Sequence, residues 1–208
     1  IAGGYSLIPL MKLRVAEVPH LIDLQSIEEL TGIENGARIR IGAMTTQADI
    51  IDNASLASSA PILKEASLQI ADPQVRYMGT VGGNVANGDP GNDMPGLMQC
   101  LDATFILRGP NGGREVKARD FYHAAYMTER EDDEVMVAVT FDAPKGGYAY
   151  EKQKRKIGDY ATAAAAVIIS KDGSKCKEAS IAMTNLSDTP VFCGAASDCL
   201  IGTSVSAE

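Results

Sequence analysis

A glycine- and asparagine-rich stretch between residues 80 and 93 constrains the fold of this chain more than any other feature. Its fourteen residues contain four glycines, three asparagines and two aspartates. The adjacent Gly82 and Gly83 let backbone N–H groups converge without obstruction from a Cβ atom, and concave loops of this kind hold anions. A second adjacent pair, Gly3 and Gly4, lies near the start of the chain. Two such segments predict a loop-built site for a ligand with two phosphates.

Each glycine pair on its own also fits an ordinary turn. No G-x-G-x-x-G sequence lies between a predicted strand and helix, and no Walker A lysine follows either pair. The phosphate interpretation therefore requires that the two segments come together in space.

Composition narrows the class of partner. A formal net charge of −8 over 208 residues argues against nucleic acid. The longest apolar run, residues 161–169, is too short to span a bilayer. The four cysteines form no C-x-x-C pair, and the chain has only two histidines that could join them as metal ligands. We therefore expect buried thiols in a reducing cytoplasm rather than a metal site.

Hydrophobic periodicity predicts helices first and strands later in the chain. The predicted helices cover residues 47–51, 58–70 and 95–101, and residues 80–93 are predicted to form a loop. The predicted strands cover residues 38–44, 103–107, 115–118, 134–141, 148–152, 161–170 and 179–184. Turn sequences predict hairpins around residues 109–113 and 171–173, and residues 145–147 are the best candidate for a domain boundary.

A basic run at residues 152–156 stands out in this acidic chain. In a strand, Lys152, Lys154 and Lys156 share one face. Two interpretations remain open. The run is either a solvated face that protects a sheet edge, or a charge partner for a bound anion or an acidic neighbouring subunit.

Three motifs occur in an order typical of one protein family. They are AGGYSLIPLMK at residues 2–12, TVGGN at residues 80–84 and KRKIGDYA at residues 154–161. Together they resemble the FAD-binding medium subunits of molybdenum hydroxylases, and within them the aerobic carbon monoxide dehydrogenase group. The resemblance extends over essentially the whole chain.

The resemblance implies an α+β fold in two domains. The first, residues 1–144, would be an FAD-binding domain of the vanillyl-alcohol-oxidase-like (PCMH) type. The second, residues 145–208, would be the start of a small α+β C-terminal domain. Members of the family have further segments before and after this sequence, so we expect a fragment that is truncated at both ends.

The resemblance also implies a set of FAD-contacting residues and no catalytic or metal-ligating residue. The first pyrophosphate segment is Ala2, Gly3, Gly4, Tyr5 and Ser6, and the second is Thr80, Val81, Gly82, Gly83 and Asn84. Asp93 is expected at a ribityl or ribose hydroxyl, Ile70 and Tyr160 at the isoalloxazine ring, and Lys152 near the flavin. Related sequences have His where this chain has Tyr5, so a proton-transfer role for that position is in doubt here.

The implied function is electron transfer. A large molybdenum subunit and a small two-iron two-sulfur subunit would carry the molybdenum cofactor and the iron–sulfur clusters, in a dimer of heterotrimers. Electrons would reach this FAD and leave to a quinone or another acceptor during carbon monoxide oxidation, in the cytoplasm or at the inner face of the membrane. The alternatives are a free-standing FAD-dependent oxidoreductase and a subunit that has kept the fold but lost the cofactor.

Overall fold

The structure, a computed structural model, describes residues 1–205. Its strands are β1 (Ile33–Glu34), β2 (Arg38–Gly42), β3 (Thr104–Gly109), β4 (Gly112–Lys117), β5 (Tyr122–Ala124), β6 (Met127–Thr128), β7 (Val135–Asp142), β8 (Gly147–Gln153), β9 (Ala163–Asp172), β10 (Lys175–Thr184) and β11 (Val191–Phe192). Its α-helices are α1 (Leu7–Lys12), α2 (Gln47–Asp52), α3 (Ala54–Ser59), α4 (Pro61–Leu68), α5 (Pro73–Met78), α6 (Val81–Ala86), α7 (Asp93–Cys100) and α8 (Gly194–Leu200). Short 3₁₀ turns occur at Glu28–Leu30 and Ala118–Asp120. The predicted mixture of helix and sheet is confirmed.

One antiparallel sheet has the strand order β1-β2-β7-β3-β4. Its strands β2 and β7 pair through Ile39 with Phe141 and Ile41 with Val139, and all four side chains are buried. The alternation of apolar and polar residues that predicted β2 therefore reflects one face turned to the core. The predicted hairpin of β3 and β4 is confirmed.

A second antiparallel sheet has the order β11-β10-β9-β8. The predicted β9–β10 hairpin is confirmed, and the alanine-rich part of β9 is a strand although alanine favours helix. Ala164 and Ala166 are buried where α7 packs against this sheet. Close packing also explains Gly96 in α7, since a Cβ built there would lie 2.3 Å from Thr184 Oγ1 of β10.

Helix α7 is the structural centre of the chain. All eight of its residues are buried, and it contacts α4 and α6 on one side and the second sheet on the other. Asn92 is its N-cap residue and Asp93 its first residue, so the helix begins two residues before the predicted start at residue 95. The position of α7 places Asp93 beside β8 of the second sheet.

Two predictions about the helical region are wrong. Residues 80–93 are not a single loop, because α6 begins directly after Thr80, whose Oγ1 accepts a hydrogen bond from the Gly83 N–H at 3.0 Å. The helix predicted over residues 58–70 is shorter, since α4 begins at Pro61 and a separate α3 precedes it. Proline cannot continue a helix that is already running, but it is well suited to the first position of a new one. In the described part of the chain no helix combines the length and the apolar character needed to cross a membrane.

Candidate functional site

The two glycine segments meet, as the sequence predicted. A Cβ built on Gly83 would lie 3.0 Å from the Ala2 carbonyl oxygen and 3.5 Å from the Ala2 side chain. Gly3 adopts a left-handed φ of +73°, and a Cβ there would lie 2.3 Å from the Met78 carbonyl oxygen. Side chains at these positions would push the segments apart, so their contact requires glycine.

A cavity of about 650 Å³ lies at this junction. Its wall includes twelve of the fourteen predicted site residues, namely Ala2, Gly4, Tyr5, Ser6, Ile70, Thr80, Gly82, Gly83, Asn84, Asp93, Lys152 and Tyr160. The structure does not place Gly3 and Val81 in that wall. Gly3 faces the Met78 carbonyl, and the Val81 side chain is buried in the core.

The two segments differ in the N–H groups that they can offer a ligand. In the second segment four of the five N–H groups already donate within the protein, from Val81 to Thr45 O at 3.0 Å, from Gly82 to Ala43 O at 2.8 Å, from Gly83 to Thr80 Oγ1 at 3.0 Å and from Asn84 to Thr80 O at 3.0 Å. The Thr80 N–H has no acceptor within residues 1–205. In the first segment the Gly4 N–H donates to Ala2 O at 2.9 Å, whereas the N–H groups of Tyr5 and Ser6 have no acceptor within residues 1–205. The expectation that both segments donate main-chain hydrogen bonds is therefore corrected for residues 81–84. The first segment offers several unbonded donors, whereas the second offers the Thr80 N–H and, at Gly82 and Gly83, a surface without side chains.

A buried group of three side chains reaches the cavity wall through Asp93 and Lys152. Lys152 Nζ donates to Asp93 Oδ2 at 2.9 Å, and the Tyr150 hydroxyl donates to Asp93 Oδ1. The Lys152 and Asp93 side chains are only 1% and 6% exposed. Burial raises the pKa of the Asp93 carboxyl, while the Lys152 charge and the Tyr150 hydrogen bond act against that rise. Burial and the Asp93 charge raise the pKa of Tyr150 far above its usual value, so its hydroxyl is a donor at neutral pH.

Gln69, directly after α4, holds β8 in place beside this group. Its Nε2 donates to the Tyr150 carbonyl at 3.2 Å, and its own carbonyl accepts from Lys152 Nζ at 3.2 Å. Its Oε1 accepts from Lys154 Nζ at 3.3 Å. The basic run is therefore not one uniform solvated face, because Lys152 and Lys154 turn inward and bond to protein groups.

Tyr160 and Ile70 approach the same cavity from different elements. Ile70 is 7% exposed, whereas Tyr160 is 59% exposed and stands at the cavity mouth. The loop before Tyr160 returns to Ala71 through Gly158, where φ is +82° and a Cβ would lie 3.1 Å from Ala71 O. A Cβ on Gly91 would lie 2.9 Å from the Tyr160 ring, so the lack of a side chain there makes room for the ring. Partial burial and nearby carboxylates raise the pKa of the Tyr160 hydroxyl.

Sequence reasoning missed Tyr150 and Arg130. Tyr150 could have been found, because it lies two residues before Lys152 in a predicted strand. Residues two apart in a strand share a face, so Tyr150 was expected on the same side as Lys152. Arg130 lines the cavity and donates to the main-chain carbonyls of Glu131 and Glu134. Arg130 lies among five acidic residues at positions 129–134. Such a run normally indicates a solvated loop, so the sequence did not indicate that Arg130 faces a cavity.

Arg130 differs from the other charged residues of the cavity wall in its partners. Within residues 1–205, Asp93 pairs with Lys152, Glu134 with Arg114 and Asp159 with Arg155. Arg130 bonds to carbonyl groups and has no carboxylate hydrogen bond in that part of the chain. Its guanidinium charge also helps to lower the pKa of Glu134, but the group makes no carboxylate hydrogen bond and can still offer donors to an anion in the cavity.

Comparisons with known proteins agree with this geometry. Residues 1–144 match the family described as the FAD binding domain in molybdopterin dehydrogenase, and residues 148–208 match the CO dehydrogenase flavoprotein C-terminal domain. The chain is 56% identical over 208 residues to the carbon monoxide dehydrogenase medium chain of Afipia carboxidovorans, an alignment that covers 99% of this chain and 72% of that protein. It is 50% identical over 192 residues to the carbon monoxide dehydrogenase medium chain of Hydrogenophaga pseudoflava, with coverage of 91% and 67%. It superposes on a chain of the cyanide-inactivated Cu,Mo-CO dehydrogenase with a TM-score of 0.97 and 56% identity, covering 99% of this chain and 73% of that one.

Proposed function

The chain belongs to the family of FAD-binding subunits of molybdopterin dehydrogenases, and on that premise we propose that it is the electron-transferring flavin subunit of a carbon monoxide dehydrogenase-like molybdenum hydroxylase. The observation that carries the proposal is the cavity of about 650 Å³ where the two glycine segments meet. This volume lies within the range of ligand and cofactor sites.

The residues of the cavity fit FAD. Its pyrophosphate would lie against Gly4 and Gly83, which line the cavity and have no side chain of their own, and would accept hydrogen bonds from the N–H groups of Tyr5 and Ser6. Each charge-assisted bond of this kind contributes about 1.5–3 kcal/mol. Arg130 would offset part of the ligand's negative charge, which is needed in a chain with a net charge of −8.

The remaining contacts would orient the cofactor. Thr80 fixes the start of α6 and so the position of Asn84, and Asp93 would accept a hydrogen bond from a ribityl or ribose hydroxyl. The carboxylate can do so although it is already bonded to two donors, because its two oxygens together offer about four acceptor positions. Ile70 would supply an apolar wall, and Tyr160 would cover one face of the ring.

The cofactor supplies the redox chemistry when bound, and the chain positions it. We place electron entry at a small two-iron two-sulfur subunit and substrate oxidation at a large molybdenum subunit, in a dimer of heterotrimers. Carbon monoxide is the proposed substrate of the whole complex, because two relatives are carbon monoxide dehydrogenase medium chains. We also propose that electrons leave to a quinone at the cytoplasmic face of the membrane. The proposed boundary between the two domains lies at residues 145–147.

Co-expression with the two partner subunits tests this function. We expect the three chains to copurify with bound FAD, and carbon monoxide to bleach the flavin absorbance at about 450 nm in the complex but not in this chain alone. A chain without FAD would refute the cofactor assignment. Turnover by this chain alone would support a free-standing oxidoreductase instead.

A further inference from the structure

Lys152 is placed where a cation would affect a bound flavin, but its charge is not free. Its ammonium group lies 2.9 Å from a carboxylate oxygen of Asp93, and both side chains are almost fully buried while lining the cavity. A lone buried ammonium would exert a strong positive potential on anything in the cavity. An ammonium with a carboxylate at hydrogen-bond distance has no net charge and leaves only a dipole.

The surroundings of the pair reinforce this cancellation. The Tyr150 hydroxyl donates to the second oxygen of Asp93, and the Gln69 carbonyl accepts from Lys152. Neither of these groups adds a charge. The next ammonium group, that of Lys154, bonds to Gln69 Oε1 at 3.3 Å, so its charge acts on Asp93 without a hydrogen bond and from outside the cavity wall. The pair is therefore complete within the chain and needs no ligand to neutralise it.

We propose that Asp93 sets the reduction potential of the bound FAD by cancelling the charge of Lys152. This inference rests on the proposed function, since it requires FAD in the cavity. Reduced FAD carries more negative charge than oxidised FAD, so an uncompensated cation nearby would bind the reduced form more tightly and raise the potential. In setting the potential Asp93 acts through Lys152, which is a role separate from the hydrogen bond that it would accept from a hydroxyl of FAD.

Two variants test this inference by spectroelectrochemical titration of bound FAD at mildly alkaline pH, where reduced FAD is an anion. Asp93→Asn keeps the size of the side chain but removes the negative charge. We expect at least a tenfold gain in the relative affinity for reduced FAD, which for a two-electron couple is a rise of about 30 mV. The double variant Asp93→Asn with Lys152→Met has neither charge. We expect it to return the potential to within about 10 mV of the wild-type value.

The double variant keeps the inference falsifiable if Asp93→Asn alone fails to fold around its unpaired ammonium. If Asp93 did not cancel the charge of Lys152 in the wild-type protein, the double variant would lose a net positive charge. Its potential would then lie well below the wild-type value, and that result would overturn the inference. Tyr150→Phe is the matched control, because it removes a hydrogen bond to Asp93 and no charge, and should leave the potential unchanged. An unchanged or lower potential in a folded Asp93→Asn variant would also overturn the inference. If the wild-type protein bound no FAD, the proposed function would fail; if it bound FAD but the potentials did not follow this pattern, only the inference would fail.

Discussion

Tyr160 stands at the cavity mouth with 59% of its surface exposed, beside the backbone of Gly91. A side chain so exposed contributes little to the core, so its ring is available to cover a ligand. Tyr5, which also lines the cavity, is 44% exposed. Its hydroxyl can donate a hydrogen bond to a ligand.

The Tyr160→Ala variant tests the role of the ring. We expect FAD to stay bound, with less than a tenfold loss of affinity, because an aromatic contact contributes about 0.5–1.5 kcal/mol. The rate of flavin reoxidation by oxygen should change, since one face of the ring loses its cover. Stopped-flow absorbance measures that rate, and Tyr160→Phe serves as the control that keeps the ring. Equal reoxidation rates in the wild-type and alanine proteins would count against this role.

Among the elements, β4 is tied to the start of β7 across the intervening strand β3. Arg114 on β4 donates to both carboxylate oxygens of Glu134, at 2.7 and 2.8 Å. This bidentate hydrogen bonding lowers the pKa of Glu134 to about 2. Glu134 and Arg130 also line the cavity, so the pairing holds one wall of the site as well as the sheet.

The Glu134→Gln variant should be destabilised in a pH-dependent way. The carboxylate is charged in the folded protein down to about pH 2 but only above about pH 4.3 in the unfolded chain. Its stabilisation is therefore fully present above pH 4.3 and is lost as the pH falls through 2. We expect a loss of about 1 kcal/mol at pH 7, discounted because Arg114 is 36% exposed, and a difference that shrinks toward pH 2.

Urea unfolding between pH 2 and 7 measures this difference. Glu131→Gln is the control, since Glu131 is exposed and bonds to Glu134 only through main-chain groups. A Glu134→Gln effect of the same size at every pH would show that the carboxylate charge does not stabilise the sheet.

Most elements could be predicted from the sequence because their signals are local. Strand alternation predicted β2 and β7, and turn residues predicted the hairpins of both sheets. Helix α6 could not be predicted, since Gly82 and Gly83 have poor helix propensity. Tertiary packing reverses that preference, because a Cβ on Gly82 would lie 2.5 Å from the Ala43 side chain. Only glycine lets α6 approach β2 this closely.

Across the whole molecule, the site combines residues that lie far apart in the sequence. Asp93 begins α7 and Lys152 lies near the end of β8, 59 residues later. Sequence reasoning identified both residues but not their pairing, since pairing depends on how α7 packs against the second sheet. It likewise identified both glycine segments but not which N–H groups were already bonded within the protein.

The proposed function depends on the two glycine segments forming one site for FAD. Gly83→Val places a branched side chain where even a Cβ would lie 3.0 Å from the Ala2 carbonyl oxygen. The control is Gly113→Ala, because a Cβ there makes only an ordinary contact, 3.5 Å from Leu107 O, on the exposed strand β4.

The most direct measurement is the ratio of FAD to polypeptide in the purified proteins, taken together with their thermal unfolding. We predict that Gly83→Val retains less than about a tenth of the wild-type FAD while still unfolding cooperatively, and that Gly113→Ala retains all of it. A Gly83→Val protein with the wild-type FAD content would contradict the placement of the cofactor between the two segments.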